Sequence, residues 1–262
     1  MLLTPNLHAQ PKTVKEKTEK ITTITISTGD YPPGYSPTAY RNGYVLDIVR
    51  SAFKEADIEV SYEFLPWGRS FSEMADGTYM ASCCWFTSKK REENSMLSNP
   101  VDSNDKFVFY SLKKSKFDWS SYDDLKHLKI GAAIGYTYPE EFLAYTKEHG
   151  INLMLVAKDE QNIKKLQRGR IDIAIVGHLV GLELIKKVYP SKEHEFTYHK
   201  KPLREDPVFL MFTKNKSKKA EAENLLKKFN TGLARLKSTG KYKEILDSLE
   251  RGRYNIKPEF RN

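Results

Sequence analysis

The feature that most constrains the fold is an alternation of short strand-like and helix-like segments, which begins near Ile21. ITTITIST (21–28) alternates Ile with Thr, as a strand with one buried face does. Predicted strands lie at 21–28, 58–66 and 80–86, and predicted helices lie at 43–57 and 67–75. The order strand, helix, strand, helix, strand predicts a parallel sheet whose strands are connected by crossover helices.

A second α/β unit follows a polar stretch after a further predicted strand at 106–112. Within this unit, Pro139 suits the first turn of a helix, and Asp159 is a good helix cap. Strands are predicted at 128–135, 152–157 and 171–177, helices at 139–149, 159–168 and 178–188, and a strand or connection at 196–203. This unit has enough helices to cover its own sheet.

The last third of the chain therefore needs a sheet elsewhere. A strand at 207–214 precedes two amphipathic helices separated by Gly240, and the first unit can accept all three. Two chain crossings between two α/β lobes predict a hinge and a cleft. The expected division is 1–20 leader remnant and flexible lead-in, 21–110 plus 206–250 lobe 1, 111–205 lobe 2, and 251–262 C-terminal tail.

Composition excludes several classes of function. Net charge is +9, but 43 basic and 34 acidic residues are mixed along the chain without a basic run interleaved with aromatic residues, so nucleic acid is not an expected partner. No apolar run is long enough to cross a membrane. The two cysteines, Cys83 and Cys84, suit neither a disulfide framework nor a zinc site. We expect two small residues in a strand, with a vicinal disulfide as the alternative, and no metal or cofactor.

The amino-terminal sequence has one feature of an exported protein. MLLTPNLHAQ lacks the basic start and long apolar run of a full signal peptide, yet Leu7-His8-Ala9 before Gln10 matches the end of one. We therefore expect a periplasmic monomer whose signal peptide is truncated or removed.

Several segments, in order, resemble the type-3 extracellular solute-binding proteins, the amino-acid-binding components of ABC importers. They are GDYPPGY (29–35), NGYVLDIVRSAF (42–53), WFTSKKREENSMLSNP (85–100), LKHLKIGAAIGYTY (125–138), GRIDIAIVGHLVG (169–181) and ARLKSTGKYKEIL (234–246). The resemblance implies an α/β fold of the two-lobed periplasmic-binding-protein type, with two sheets joined by a two-strand hinge. It also implies that the chain captures a small polar or carboxylate-bearing solute for a membrane permease and is not an enzyme.

The resemblance assigns the solute's carboxylate to Arg91, whose planar guanidinium can bind both carboxylate oxygens. Other expected ligand contacts are a hydroxyl at Thr87, the turn before the helix at 139–149, aromatic walls, a second cation and a helix-start histidine. The full predicted set is Tyr31, Trp67, Arg69, Trp85, Phe86, Thr87, Arg91, Tyr136, Thr137 and His178.

One departure from the family pattern puts a standard amino acid in question. Family members usually hold the ligand's ammonium group with an aspartate at the position of Gly177, and Asp206 and Glu183 are candidate substitutes. A dicarboxylate, a peptide-like fragment and another small anion therefore remain alternatives. Two other functions stay open as well: a sensory ligand-binding protein, and a cyclohexadienyl-dehydratase-like enzyme with its acid or base among His178, Glu183 and Asp206.

Overall fold

The computed structural model describes residues 22–102 and 105–254, so the predictions for the leader and for the end of the C-terminal tail lie outside the described residues. The strands are β1 Thr22–Thr28, β2 Ile58–Phe64, β3 Ala81–Trp85, β4 Ser95–Leu97, β5 Lys106–Leu112, β6 Ile130–Ala133, β7 Leu153–Val156, β8 Ile173–Gly177, β9 Phe196–Tyr198, β10 Arg204–Glu205 and β11 Phe209–Thr213. The α-helices are α1 Tyr44–Lys54, α2 Trp67–Ala75, α3 Lys89–Asn94, α4 Glu140–Glu148, α5 Asp159–Gln167, α6 His178–Val188, α7 Lys219–Ser238 and α8 Lys241–Glu250. None of these helices has the length and apolar character that crossing a membrane requires.

The first sheet has the strand order β2-β1-β3-β11-β4. Strand β1 runs parallel to β2 and β3, and β11 runs antiparallel to both β3 and β4. The strand from the last third of the chain thus completes the sheet begun by the first. Helix α7 packs closely on α1. Gly232 has no side chain and so lets the two helices approach, since a Cβ atom there would overlap the carbonyl oxygen of Ala52.

The second sheet has the order β10-β5-β8-β6-β7, and β9 pairs with β5. Strands β7, β6 and β8 are parallel, whereas β5 is antiparallel to β8. The sequence-based boundary at residue 110 had placed β5 in the first lobe, but its pairing places it in the second sheet. The chain crosses earlier than expected because Phe107–Tyr110 pairs residue by residue with Ala174–Gly177.

Two neighbouring segments carry the chain between the sheets. The Val208 N–H donates to the carbonyl of Asp102 at 2.8 Å, and the Val101 N–H donates to the carbonyl of Val208 at 2.9 Å. Further along, the Leu203 N–H donates to the Phe107 carbonyl at 2.9 Å. The crossings at 101–107 and 203–208 therefore run side by side as a hydrogen-bonded pair, as the predicted two-strand connection requires.

Local structure differs from expectation at three points. The stretch 88–97 contains α3 and β4, which the polar sequence did not predict. Asp159 is the first residue of α5 rather than its cap, and Lys158 occupies the N-cap position. The expectation that Cys83 and Cys84 are unbridged was wrong, because their sulfurs are bonded and their Cα atoms lie 3.1 Å apart.

Candidate functional site

A cavity lies where the loops of the two lobes meet. The space between its atoms is about 300 Å³, including a part open to solvent, and about 30 Å³ can hold the centre of a water molecule. Its walls are mostly aromatic, and Arg91 and Asp105 are its charged members. The residues that line it are Tyr31, Tyr35, Trp67, Cys84, Trp85, Phe86, Arg91, Asp105, Phe107, Gly135, Tyr136, Thr137 and Val208. The first lobe provides one wall and the start of the second provides the other.

Arg91 is on α3, directly beyond the end of β3, and its guanidinium points into the cavity. Nη1 donates to the Phe86 carbonyl at 2.8 Å, and Nη2 donates across the lobes to the Gly135 carbonyl at 3.1 Å. The guanidinium carbon lies 4.4 Å from the centroid of the Trp85 ring. Burial, with a smaller effect of Arg204, lowers the pKa of Arg91 to about 9, so the group stays charged at pH 7.

The aromatic walls are packed edge to face and face to face. Trp67 lies 4.9 Å from Trp85 and 6.1 Å from Tyr136, measured between ring centroids. Tyr136 stacks on Phe107 at 5.3 Å with an interplanar angle of 5°. Because Trp67 and Trp85 belong to the first lobe and Phe107 and Tyr136 to the second, the contact between Trp67 and Tyr136 joins the lobes at the cavity.

Asp105 lies at the crossing segment, at the start of β5. One of its carboxylate oxygens accepts a hydrogen bond from the Tyr31 hydroxyl at 3.0 Å. Burial, with a further contribution from Asp102, raises the pKa of Asp105 to about 7. Asp102 itself accepts a hydrogen bond from the buried Tyr44 hydroxyl at 2.5 Å. The cavity thus has a partly desolvated carboxylate in addition to its guanidinium.

A second buried carboxylate lies behind the opposite wall. Asp159 accepts a hydrogen bond from the Tyr136 hydroxyl at 2.6 Å, while its other oxygen has no hydrogen-bond partner among the described residues. Burial raises the pKa of Asp159 to about 7. Tyr136 thereby separates this carboxylate from the cavity.

Close contacts hold the two lobes together. A side chain at Gly177 would overlap the hydroxyl end of Tyr31, and a side chain at Gly135 would press on Trp67. Arg204 donates to the carbonyls of Thr137 at 3.0 Å and Thr87 at 2.9 Å, which belong to opposite lobes. The cleft is closed, and two glycines permit the approach.

Seven of the ten sequence-predicted site residues line this cavity; they are Tyr31, Trp67, Trp85, Phe86, Arg91, Tyr136 and Thr137. The other three lie elsewhere. The exposed Arg69 pairs with Glu73 at 2.6 Å, and the Thr87 hydroxyl donates to Glu92 outside the cavity. His178 packs on Tyr198 with ring centroids 4.5 Å apart.

Sequence reasoning missed six lining residues; they are Tyr35, Cys84, Asp105, Phe107, Gly135 and Val208. Cys84 and Gly135 are each next to a predicted residue, so the same segments could have indicated these two. Asp105 directly precedes a predicted strand at the lobe crossing, which was the available signal. Within 22–102 and 105–254, no group of three or more His, Cys, Asp or Glu side chains is arranged to hold a metal ion.

Two α/β lobes joined by paired crossing segments and closed over a cavity define the class of two-lobed, periplasmic-binding-protein-like proteins. The family model described as bacterial extracellular solute-binding proteins, family 3, matches residues 23–249, and the chain therefore belongs to that family.

Individual relatives are distant. The "Probable amino-acid-binding protein YxeM" of Bacillus subtilis (strain 168) is 22% identical over 218 residues, covering 82% of this chain and 78% of the relative. An ABC uptake transporter substrate-binding protein from Streptococcus pneumoniae, solved with bound histidine, has a TM-score of 0.70 at 18% identity, covering 90% of this chain and 94% of that one. A histidine kinase sensor domain with similarity to periplasmic binding proteins has a TM-score of 0.70 at 20% identity, covering 86% and 94%.

Proposed function

We propose that this chain is an extracytoplasmic binding protein that captures a small carboxylate-bearing solute of the amino-acid class and presents it to an ABC-type membrane permease. The observation that carries the proposal is Arg91, a charged guanidinium inside a closed, mainly aromatic interlobe cavity. The carbonyls of Phe86 and Gly135 accept hydrogen bonds from Arg91 but do not neutralise its positive charge. A carboxylate in the cavity can therefore form a charge-assisted hydrogen bond with Arg91. The relatives support the amino-acid class, because one is named as an amino-acid-binding protein and another is bound to histidine.

The binding step uses donors that the protein leaves available. A guanidinium has five N–H donors, and the two contacts to Phe86 and Gly135 use two of them. A carboxylate can therefore bind Arg91 while the Nη2 bond to Gly135 still joins the lobes. Solute bound in this way stabilises the closed arrangement over an open one, which is the population shift that a permease reads.

The experiment is a calorimetric titration and a thermal-shift screen of the full chain with the common L-amino acids, small dicarboxylates and neutral sugars. We expect at least one amino acid or dicarboxylate to bind and to raise the melting temperature, while sugars do neither. The variant Arg91→Ala should bind that solute about 100-fold more weakly or worse, since it removes one partner of a buried charge pair.

Arg69→Ala is the matched control, because Arg69 is an exposed arginine that pairs with Glu73 outside the cavity. This variant should bind as the unaltered chain does. The proposal is wrong if no carboxylate-bearing solute stabilises the protein, or if the two arginine variants weaken binding equally.

A sensory role is the second candidate, and the similarity to a histidine kinase sensor domain is the observation that favours it. The two roles share the binding step and differ in the protein that reads the closed form. Co-purification of the solute-loaded chain with permease subunits supports transport. Solute-dependent association with a membrane-bound kinase, and not with a permease, supports sensing.

A further inference from the structure

We propose that Asp105 is the ammonium-binding group of this cavity, so that Arg91 and Asp105 together select a zwitterion. This inference rests on the proposed function, since it assigns the second charge of the same solute. It is supported by the position of Asp105 at the lobe crossing and by the absence of a competing carboxylate among the described residues of the cavity wall.

Asp105 is the acidic residue among the described cavity-lining residues. Asp206 is engaged by Arg204 at 2.7 Å and faces a separate surface groove shared with Thr87 and Glu140. Glu183 lies on α6 and does not line the described cavity. The two substitutes suggested by the sequence are therefore outside the site, whereas Asp105 is inside it.

Position 177 provides no alternative. Gly177 has no side chain, and the hydroxyl end of Tyr31 occupies the space where one would begin. The same hydroxyl donates to Asp105, so the ring that fills the space at Gly177 also orients the carboxylate at the crossing segment. The acidic group of this cavity therefore lies in the connection between the lobes. It does not lie at the β8–α6 junction of the second lobe, where the family pattern places it.

The two charges of the cavity have no ionic partners in the part of the chain that the structure describes. Among residues 22–102 and 105–254, neither Arg91 nor Asp105 forms an ion pair, either with the other or with a third residue. A carboxylate has about four acceptor positions, and the Tyr31 hydroxyl takes one of them. An ammonium group at Asp105 and a carboxylate at Arg91 would satisfy both charges in one molecule, which offsets the cost of keeping each of them dry.

The test compares amino acids with analogues that lack only the ammonium group. L-glutamine, L-glutamate, L-histidine and L-arginine are titrated beside their 2-hydroxy acids against the unaltered chain, Asp105→Asn and Glu205→Gln. We expect Asp105→Asn to weaken amino-acid binding about 100-fold or more and to change the affinity for the 2-hydroxy acids by less than about threefold. Glu205→Gln removes a more exposed carboxylate of the same crossing segments, which pairs with Lys106, and should change neither.

Each outcome has a distinct meaning. Amino-acid binding that Asp105→Asn leaves intact overturns the role of Asp105 and leaves the proposed function standing. Binding of 2-hydroxy acids alone does the same. If the unaltered chain binds none of the eight probes, the same comparison is made with the solute found in the screen and its analogue without the ammonium group; if the screen finds no carboxylate-bearing solute, the proposed function fails, and the zwitterion proposal fails with it. Should Asp105→Asn not fold, Tyr31→Phe keeps the ring and removes the hydroxyl, and it should weaken amino acids selectively by about tenfold.

Discussion

Replacing Asp159 with asparagine should stabilise the protein at alkaline pH, because the native carboxylate is buried and has no ionic partner within 22–102 and 105–254. Its pKa is raised from 3.8 to about 7, and burial is the main cause. Each pKa unit corresponds to about 1.4 kcal/mol, so ionising Asp159 in the folded protein costs up to about 4 kcal/mol more than in the unfolded chain. An asparagine keeps an oxygen for the Tyr136 hydroxyl and never carries this charge.

The sign of the effect follows from which state holds the proton. Well below pH 3.8 the carboxyl is neutral in both the folded and the unfolded chain, so Asp159 costs no stability there, and at pH 4 the cost is still well under about 1 kcal/mol. As pH rises toward 7, only the unfolded chain ionises freely, and the folded state loses stability until the full cost is present above pH 7. The difference in melting temperature between Asp159→Asn and the unaltered chain should therefore be near zero at pH 4.

At pH 8 the variant should melt about 8 °C higher, taking about 2 °C per kcal/mol for a chain of this size. Differential scanning calorimetry or circular dichroism at pH 4, 5, 6, 7 and 8 measures this difference. Asp123→Asn is the control of opposite sign, because Lys126 and Tyr145 lower the pKa of Asp123. A constant difference across the pH series, or destabilisation of Asp159→Asn at pH 8, would refute the burial argument.

Two glycine substitutions test the packing that closes the cleft and the packing within the first lobe. Gly177→Ala should weaken solute binding about tenfold, because its methyl group overlaps the Tyr31 hydroxyl and hinders closure. Calorimetric titration with a solute found in the screen measures this beside the control Gly68→Ala, whose methyl group meets no described atom within 4 Å, and equal weakening by both variants would contradict the closure argument. Gly232→Ala should destabilise the chain by about 2 kcal/mol, because its methyl group overlaps the Ala52 carbonyl, and a urea melt beside the exposed control Thr231→Ala checks this loss.

Secondary structure was predictable wherever apolar residues recur with a clear period. The helices over 67–75 and 178–188 and the strand over 106–112 begin and end where their patterns do. Helix α3 gave no such signal. Its sequence, KKREEN, contains no apolar residue, and the helix buries none of its residues. The sheet to which 106–112 belongs also escaped prediction, since pairing with β8 is a tertiary choice that the strand's own residues do not encode.

The sequence predicted the chemical character of the site, but the predicted set of residues was incomplete. A guanidinium and aromatic rings at the ends of parallel strands indicated a cleft for an organic anion, and the structure brings most of them to one cavity. Asp105 escaped because a lone aspartate before a strand looks like any surface loop residue. In the folded protein Asp105 faces the cavity and accepts a hydrogen bond from Tyr31 of the first lobe, a contact that sequence position does not reveal. Sequence patterns miss residues such as Asp105, because their burial and contacts depend on how the two lobes pack together.

The closed cavity has an energetic consequence that links its charges to its proposed use. Closure dries Arg91 and Asp105, and the protein gives each of them neutral hydrogen-bond partners rather than an opposite charge. Such partners return only part of the lost hydration, so closing over water alone is less favourable than closing over a solute with charges of both signs. The aromatic contacts and the Arg204 bridges favour closure with or without solute, and they set how far the equilibrium lies toward the closed form. The free-energy cost of drying the two charged groups is the part of the closing free energy that a bound solute can change. Arg91 and Asp105 should therefore determine which solutes are bound.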